Sequence, residues 1–187
     1  MIMHTCLLVI DAQQSFVHRP YFDARRAERY LQAQNALVRG CAAAGVPVLR
    51  VLHSDGPERE DNPFAHCSGH VRPIDGLADF EPAAQFVKSR HSALVGTGLD
   101  VWLVRQGMRR VIVSGIRTEQ CCETTTRHAS DLGWEVDFVS PATLTFDMEV
   151  PGGGTLAADD IVLRTEVVLR GRFANICTVD EALSRIG

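Results

Sequence analysis

A three-layer α/β/α domain built on a mostly parallel sheet of five to six strands is the fold this sequence predicts, and three observations predict it. Short apolar runs without alternation recur along the chain, as in strands covered on both faces. Stretches with apolar residues at three- and four-residue intervals lie between them. Gly45, Gly107 and Gly133 each close such a stretch just before the next run, so strands alternate with helices.

Residues 5–10 form the first run, which stops at Asp11. A carboxylate there sits at the carboxyl end of a strand, where open α/β sheets bind ligands, although a turn or cap role would also suit an Asp. From 23 to 44, Tyr30, Ala33, Leu37, Cys41 and Ala44 recur on one helical face, and residues 46–53 follow as a second strand with Pro47 at its start. This strand, helix, strand unit requires a parallel pair. Residues 53–80 are irregular and polar, a loop long enough to be a lid or pocket wall. Within it His53, Asp55, His66, Cys67 and His70 form a loose group of metal-ligand types that matches no zinc spacing, so no metal and no cofactor is expected. A short third strand over 84–87 is followed directly by Lys88, and Leu99, Trp102 and Leu103 then mark a helix ending at Gly107.

The segment from 111 to 133 carries the chemistry. The strand-like run Val111-Ile112-Val113 ends at Ser114-Gly115, and a helix is expected from Thr118 as N-cap to Gly133. Cys121 then falls in the first helical turn, where the dipole favours a thiolate over the ordinary thiol that titrates near ~8.5. A small buried cysteine is the plainer alternative. Its neighbour Cys122 would point about 100° away on a helix, which argues against a vicinal disulfide. Residues 134–139 read as a fifth strand, 155–169 as a helix after the Pro151-Gly152-Gly153-Gly154 loop, 175–178 as a last short strand and 179–186 as a last helix.

At 187 residues the chain has room for one sizeable core, so one domain over 1–187 is expected. A net charge of −4 without any basic stripe excludes nucleic acid and anionic membrane as expected partners. Residues 6–10 are too short an apolar run to span a membrane and lack a basic flank, and the six irregularly spaced cysteines suit reduced thiols. Together these predict a cytoplasmic protein.

Asp11, Lys88 and Cys121 each stand at or just beyond the end of a different strand, so a parallel sheet brings them to one edge. A carboxylate, an ammonium and a thiol in one crevice can do nucleophilic acyl chemistry. At these residues the chain resembles the isochorismatase-like cysteine hydrolases, which include nicotinamidases, N-carbamoylsarcosine amidohydrolases and ureidoacrylate amidohydrolases. Asp11-x-Gln13-x-x-Phe16 is similar to the family's acid motif, and Lys88 with Ser92, Thr97, Leu99 and Leu103 to its lysine motif. Gly115-Ile116-x-Thr118-x-x-Cys121, with Thr125, Arg127, Ala129 and Leu132-Gly133, is similar to its nucleophile motif.

The resemblance implies a Rossmann-like fold and a Cys121, Asp11, Lys88 triad. It also implies a cis peptide bond at Ile116-Arg117 and an oxyanion hole made by the N–H groups of Arg117 and Cys121. A pocket lined by Gln13, Phe16 and Phe64, a small-molecule substrate with a C–N bond to cleave, and a homodimer or homotetramer complete the expectation. His53-Ser54-Asp55 reverses the residue types of the nicotinamidase metal motif, so neither nicotinamide nor a metal is implied. Leu94 stands where Phe is usual, Pro141-Ala142 where Asp-Ala is often found, and His128 where an acid is common. His128 either satisfies a buried hydrogen bond or takes part in catalysis, and Arg117 either binds a substrate carboxylate or is solvated. Two other functions stay open: a vinyl-ether hydrolase with Asp11 as general acid, which the cysteine argues against, and a non-catalytic binding domain, which the intact triad argues against.

Overall fold

The computed structural model describes residues 4–186. Six parallel strands run in the order β3-β2-β1-β4-β5-β8, namely β1 (Thr5–Ile10), β2 (Val48–His53), β3 (Ala84–Lys88), β4 (Arg110–Ile116), β5 (Glu135–Leu144) and β8 (Asn175–Cys177). Helices α1 (Ala24–Ala43) and α5 (Val179–Ser184) cover one face, and α2 (Leu99–Arg105), α3 (Glu123–Asp131) and α4 (Ala158–Leu169) cover the other. The alternation of side chains along β1 shows why the layers form. Leu7 and Val9 pack under α1 with Leu37 and Cys41, whereas Cys6, Leu8 and Ile10 pack under α2 with Leu99 and Leu103. All six residues of β1 are buried, which is why Cys6 to Ile10 form an unbroken apolar run.

Asp23 caps α1, its Oδ1 accepting from the N–H of Arg25 at 2.8 Å and of Arg26 at 3.2 Å. Gly45 ends the helix at a φ of 74°. Among the described residues no helix is long and apolar enough to cross a membrane.

Three boundaries differ from the sequence expectation by three residues or more. The fifth strand runs on to Leu144 through Pro141, because the register against β4 shifts between Val113 and Gly115 and the irregularity leaves Pro141 exposed, where its missing N–H is tolerated. The helix expected from 155 begins at Ala158, since Thr155–Leu156 (β7) pairs with Met148–Glu149 (β6) in a two-stranded hairpin. Thr118 is not a helix cap. It starts a five-residue π-helical turn, Thr118–Cys122, and its hydroxyl donates instead to Thr143 Oγ1 at 2.8 Å.

Gly115 joins β4 to that turn. Its φ is 129°, and a Cβ built there would lie 1.8 Å from the carbonyl oxygen of Ile10, the residue before Asp11. Only a residue without a side chain lets β4 approach β1 this closely. Gly115→Ala is expected to cost about 3 kcal/mol of stability, measurable as a lowered denaturation midpoint, and a native midpoint would show that the strands can part locally.

Candidate active site

The ends of β1, β3 and β4 meet at one edge of the sheet, and each delivers one reactive side chain. Asp11 follows β1 directly with a φ of 49°, a left-handed conformation that an aspartate adopts only where its surroundings hold it. Its N–H donates to the Val51 carbonyl at 2.8 Å, so the turn is anchored on β2. Lys88 is the last residue of β3, and Cys121 lies in the π-helical turn after β4.

These three side chains touch. Lys88 Nζ stands 2.7 Å from Asp11 Oδ2 and donates to Cys121 Sγ at 3.3 Å, and the Lys88 and Asp11 side chains are both fully buried. Lys88 also lies 3.0 Å from His53 Nδ1. Burial alone would lower the lysine's pKa, but Asp11 and Cys121 outweigh it, and the ammonium is held above its ordinary range.

The thiol behaves otherwise than expected from a helix N-terminus. Burial first, and the charge of Asp11 second, push Cys121 up to about 12 against the opposing pull of Lys88. Desolvation of a cysteine only 6% exposed thus opposes the thiolate that a helix N-terminus would favour. Two consequences share one sign. Native Cys121 is expected to alkylate slowly near neutrality, its iodoacetamide labelling rising as pH climbs toward about 12. Because Cys41, likewise pushed up to about 12, and Cys177, pushed up to about 11, are also harder to ionise when folded, stability is full below the ordinary thiol range and falls as pH rises through these values. Thermal melts at increasing alkaline pH check this, and a midpoint that rises there would contradict it.

The π-helical turn also arranges the backbone. The Ile116-Arg117 peptide bond is cis, and the Arg117 carbonyl accepts from the N–H of Gln120 at 3.3 Å and of Cys122 at 3.2 Å, passing over that of Cys121. The Arg117 side chain does not lie in solvent and does not line the cavity over Cys121. It is buried, paired through Nε with Glu119 Oε1 at 3.1 Å, and held 5.1 Å from the ring centre of Tyr21 and 5.8 Å from that of Phe146. His128 Nδ1 is 2.8 Å from Ser92 Oγ, a contact between the lysine and nucleophile segments. Cys122 is fully buried among the apolar residues under α2 and α3, and both neighbouring cysteines are free thiols. Glu123, the first residue of α3, pairs with Arg127 at 2.9 Å and with Arg164 of α4 at 2.5 Å, which fixes the helix that follows the thiol.

A cavity of about 330 Å³ opens over Asp11 and Cys121. Phe16, Tyr21 and Phe64 form aromatic walls, with Phe16 and Phe64 edge to face at 5.1 Å. The long loop does serve as a wall, supplying Asp55, Asn62 and Phe64, and the Asn62 amide knots it by donating to the carbonyls of Asp55 at 2.8 Å and Pro57 at 3.0 Å. Gln13 does not line the cavity. Its amide is fully engaged, accepting from the His53 N–H at 2.7 Å and donating to the His53 carbonyl at 2.9 Å and to Ser15 Oγ at 2.7 Å, so it ties the end of β1 to that of β2. Tyr21, Arg19, His91 and Gln120 also face the cavity, and nothing in their local sequence marks them out. A larger groove of about 720 Å³ along α1, between Phe22, Leu31 and Ile74, contains none of the three reactive side chains.

The other histidines of the loop disperse. His70 stacks on His18 at 3.7 Å and His66 lies on a short 3₁₀ turn, and among the described residues no three or more His, Cys, Asp or Glu side chains converge to hold a metal ion.

Comparison with known proteins gives the family. Residues 5–151 match the Isochorismatase domain family model. Nicotinamidase 3 of Arabidopsis thaliana is 32% identical over 156 residues, covering 77% of this chain and 75% of that protein. A crystal structure of a candidate isochorismatase from Burkholderia xenovorans LB400 superimposes with a TM-score of 0.88 at 28% identity, covering 100% of this chain and 88% of that one. A cysteine hydrolase from Pseudomonas syringae pv. phaseolicola does so at 0.86 and 25% identity, covering 98% and 92%. With the family model matched over most of its length, this chain belongs to the isochorismatase family and is one of its hydrolases.

Proposed function

We propose that this hydrolase cleaves the C–N bond of a small amide or ureido compound through a thioester on Cys121. One observation carries the proposal: a buried ammonium, Lys88, bridges a carboxylate at 2.7 Å and a thiol at 3.3 Å beneath a cavity of small-molecule size. The resemblance to a nicotinamidase supports an amide class of substrate, although His53-Ser54-Asp55 gives no reason to choose nicotinamide itself.

In this mechanism Sγ attacks the carbonyl carbon, and Asp11, whose Oδ1 accepts no hydrogen bond from the protein, takes the thiol proton as the C–S bond forms. A thiol held at about 12 is not ionised beforehand, so the proton leaves during attack and Asp11 acts from the first step. Lys88 stabilises negative charge on sulfur and carboxylate alike. The N–H groups of Arg117 and Cys121 face the developing oxyanion, a contribution of about 3 kcal/mol for each such donor. Asp11 then gives its proton to the nitrogen, ammonia or an amine leaves, and the thioester remains. Water activated by Asp11 attacks it, the acid departs, and the proton returns to sulfur. The functional unit in this proposal is a cytoplasmic homodimer or homotetramer, which light scattering on the purified protein tests.

The experiment is a screen of small amides and ureido acids for released ammonia, with a Cys121→Ala control. Release by native protein alone supports the proposal, whereas equal release by the variant refutes the covalent route.

A further inference from the structure

Lys88 is a donor-only group with three N–H bonds to give, and the structure directs it at three partners: Asp11 Oδ2 at 2.7 Å, Cys121 Sγ at 3.3 Å and His53 Nδ1 at 3.0 Å. An ammonium can share a hydrogen bond with an imidazole nitrogen only if that nitrogen is unprotonated. The single proton of a neutral ring must then sit on Nε2. The groups facing the ring are Lys88, Asp11, Asp55 and His91, and burial first, then Lys88, hold His53 below its ordinary range and so uncharged. Nε2 lies 3.8 Å from Asp55 Oδ2, beyond hydrogen-bond distance, and that carboxylate is 59% exposed. The ring itself lines the cavity, with Phe64 edge-on at 5.8 Å and its backbone clamped on both sides by the Gln13 amide.

We propose that His53 is a positioning residue for the thiol site: its Nδ1 takes the third proton of Lys88 and keeps the ammonium on Asp11 and Cys121. The same contact locks the ring as the Nε2–H tautomer, which offers the cavity a fixed hydrogen-bond donor. The purpose of this device rests on the hydrolase mechanism proposed above, but its test needs no substrate, so failure of the amide screen and failure of the His53 assignment are separate results.

Two readouts test it. Long-range ¹⁵N–¹H correlation spectra of the native protein at neutral pH, with His53 assigned by comparison with a His53→Asn variant, are expected to show the neutral Nε2–H pattern. An Nδ1–H pattern or an imidazolium overturns the lock. The second readout is the pH profile of Cys121 alkylation by iodoacetamide, followed by peptide mass spectrometry. In His53→Asn the amide oxygen falls near the position of Nδ1 and can accept from Lys88. In His53→Gln the amide falls near Nε2 instead, and His53→Phe keeps the ring volume without either nitrogen. The Gln and Phe variants are expected to slow alkylation by about fivefold at a given pH, the worth of one ordinary hydrogen bond, and to move the profile upward, while Asn preserves the native profile. If Asn and Gln shift alike, or neither shifts, His53 does not act through Lys88. The Asn and Gln pair suffices should the Phe variant fail to fold.

Discussion

Cys121→Ala is expected to lower turnover by roughly a thousandfold or more while leaving the thermal midpoint nearly unchanged. The sulfur accepts from Lys88 at 3.3 Å at the floor of the cavity, at the edge of the core under α2 and α3, and the substitution removes only that one atom. Cys122 cannot take its place, because it is fully buried under α2 and α3 and does not line the cavity. Cys121→Ser provides a second check, since it keeps a hydroxyl within reach of Lys88 but supplies a poorer nucleophile. Released ammonia, measured beside a circular-dichroism melt, separates loss of chemistry from loss of fold. Turnover within tenfold of native in the alanine variant would remove the thiol from the mechanism.

Lys88→Met is expected to be the most destabilising single change at the site, by about 3–5 kcal/mol, because it strands the Asp11 carboxylate in a fully buried position. The variant can relieve that cost only by protonating Asp11, which also removes the base. Combining Lys88→Met with Asp11→Asn eliminates the stranded charge and is expected to recover much of the stability while recovering no turnover. Denaturant unfolding of the two single variants and the double variant measures this coupling. Additive losses would mean that the 2.7 Å pair is not the electrostatic unit described here.

Much of this site is legible in the sequence because it is built from strand ends. The buried strand β1 reads as an apolar run that stops at Asp11, and the edge strand β3 ends at Lys88, so the polar residues at the two strand ends fall on the same edge of the sheet and stand out. What stayed hidden depends on contacts distant in the chain. Thr118 has the chemistry of a helix cap, yet its hydroxyl is drawn to Thr143, 25 residues later, and the turn becomes π-helical. Nothing local to Cys121 reveals that burial and Asp11 push its thiol up. Gln13 belongs to a motif that suggests a pocket residue, but its amide is spent on the His53 backbone, 40 positions away. Arg117 reads as either a ligand-binding or a surface residue until Glu119, Tyr21 and Phe146 close around it. Pro141 reads as the end of a strand and instead lies inside one, at an irregularity that only the pairing with β4 defines.

The central claim is that sulfur carries the acyl group between the two halves of the reaction. Acid-quenched mass spectrometry of the enzyme during turnover of an ammonia-releasing amide tests it most directly. The expected result is an adduct with the mass of the acyl group on the peptide containing Cys121, present in native protein and absent from Cys121→Ala. Steady ammonia release with no adduct at any quench time, together with an active alanine variant, would contradict it.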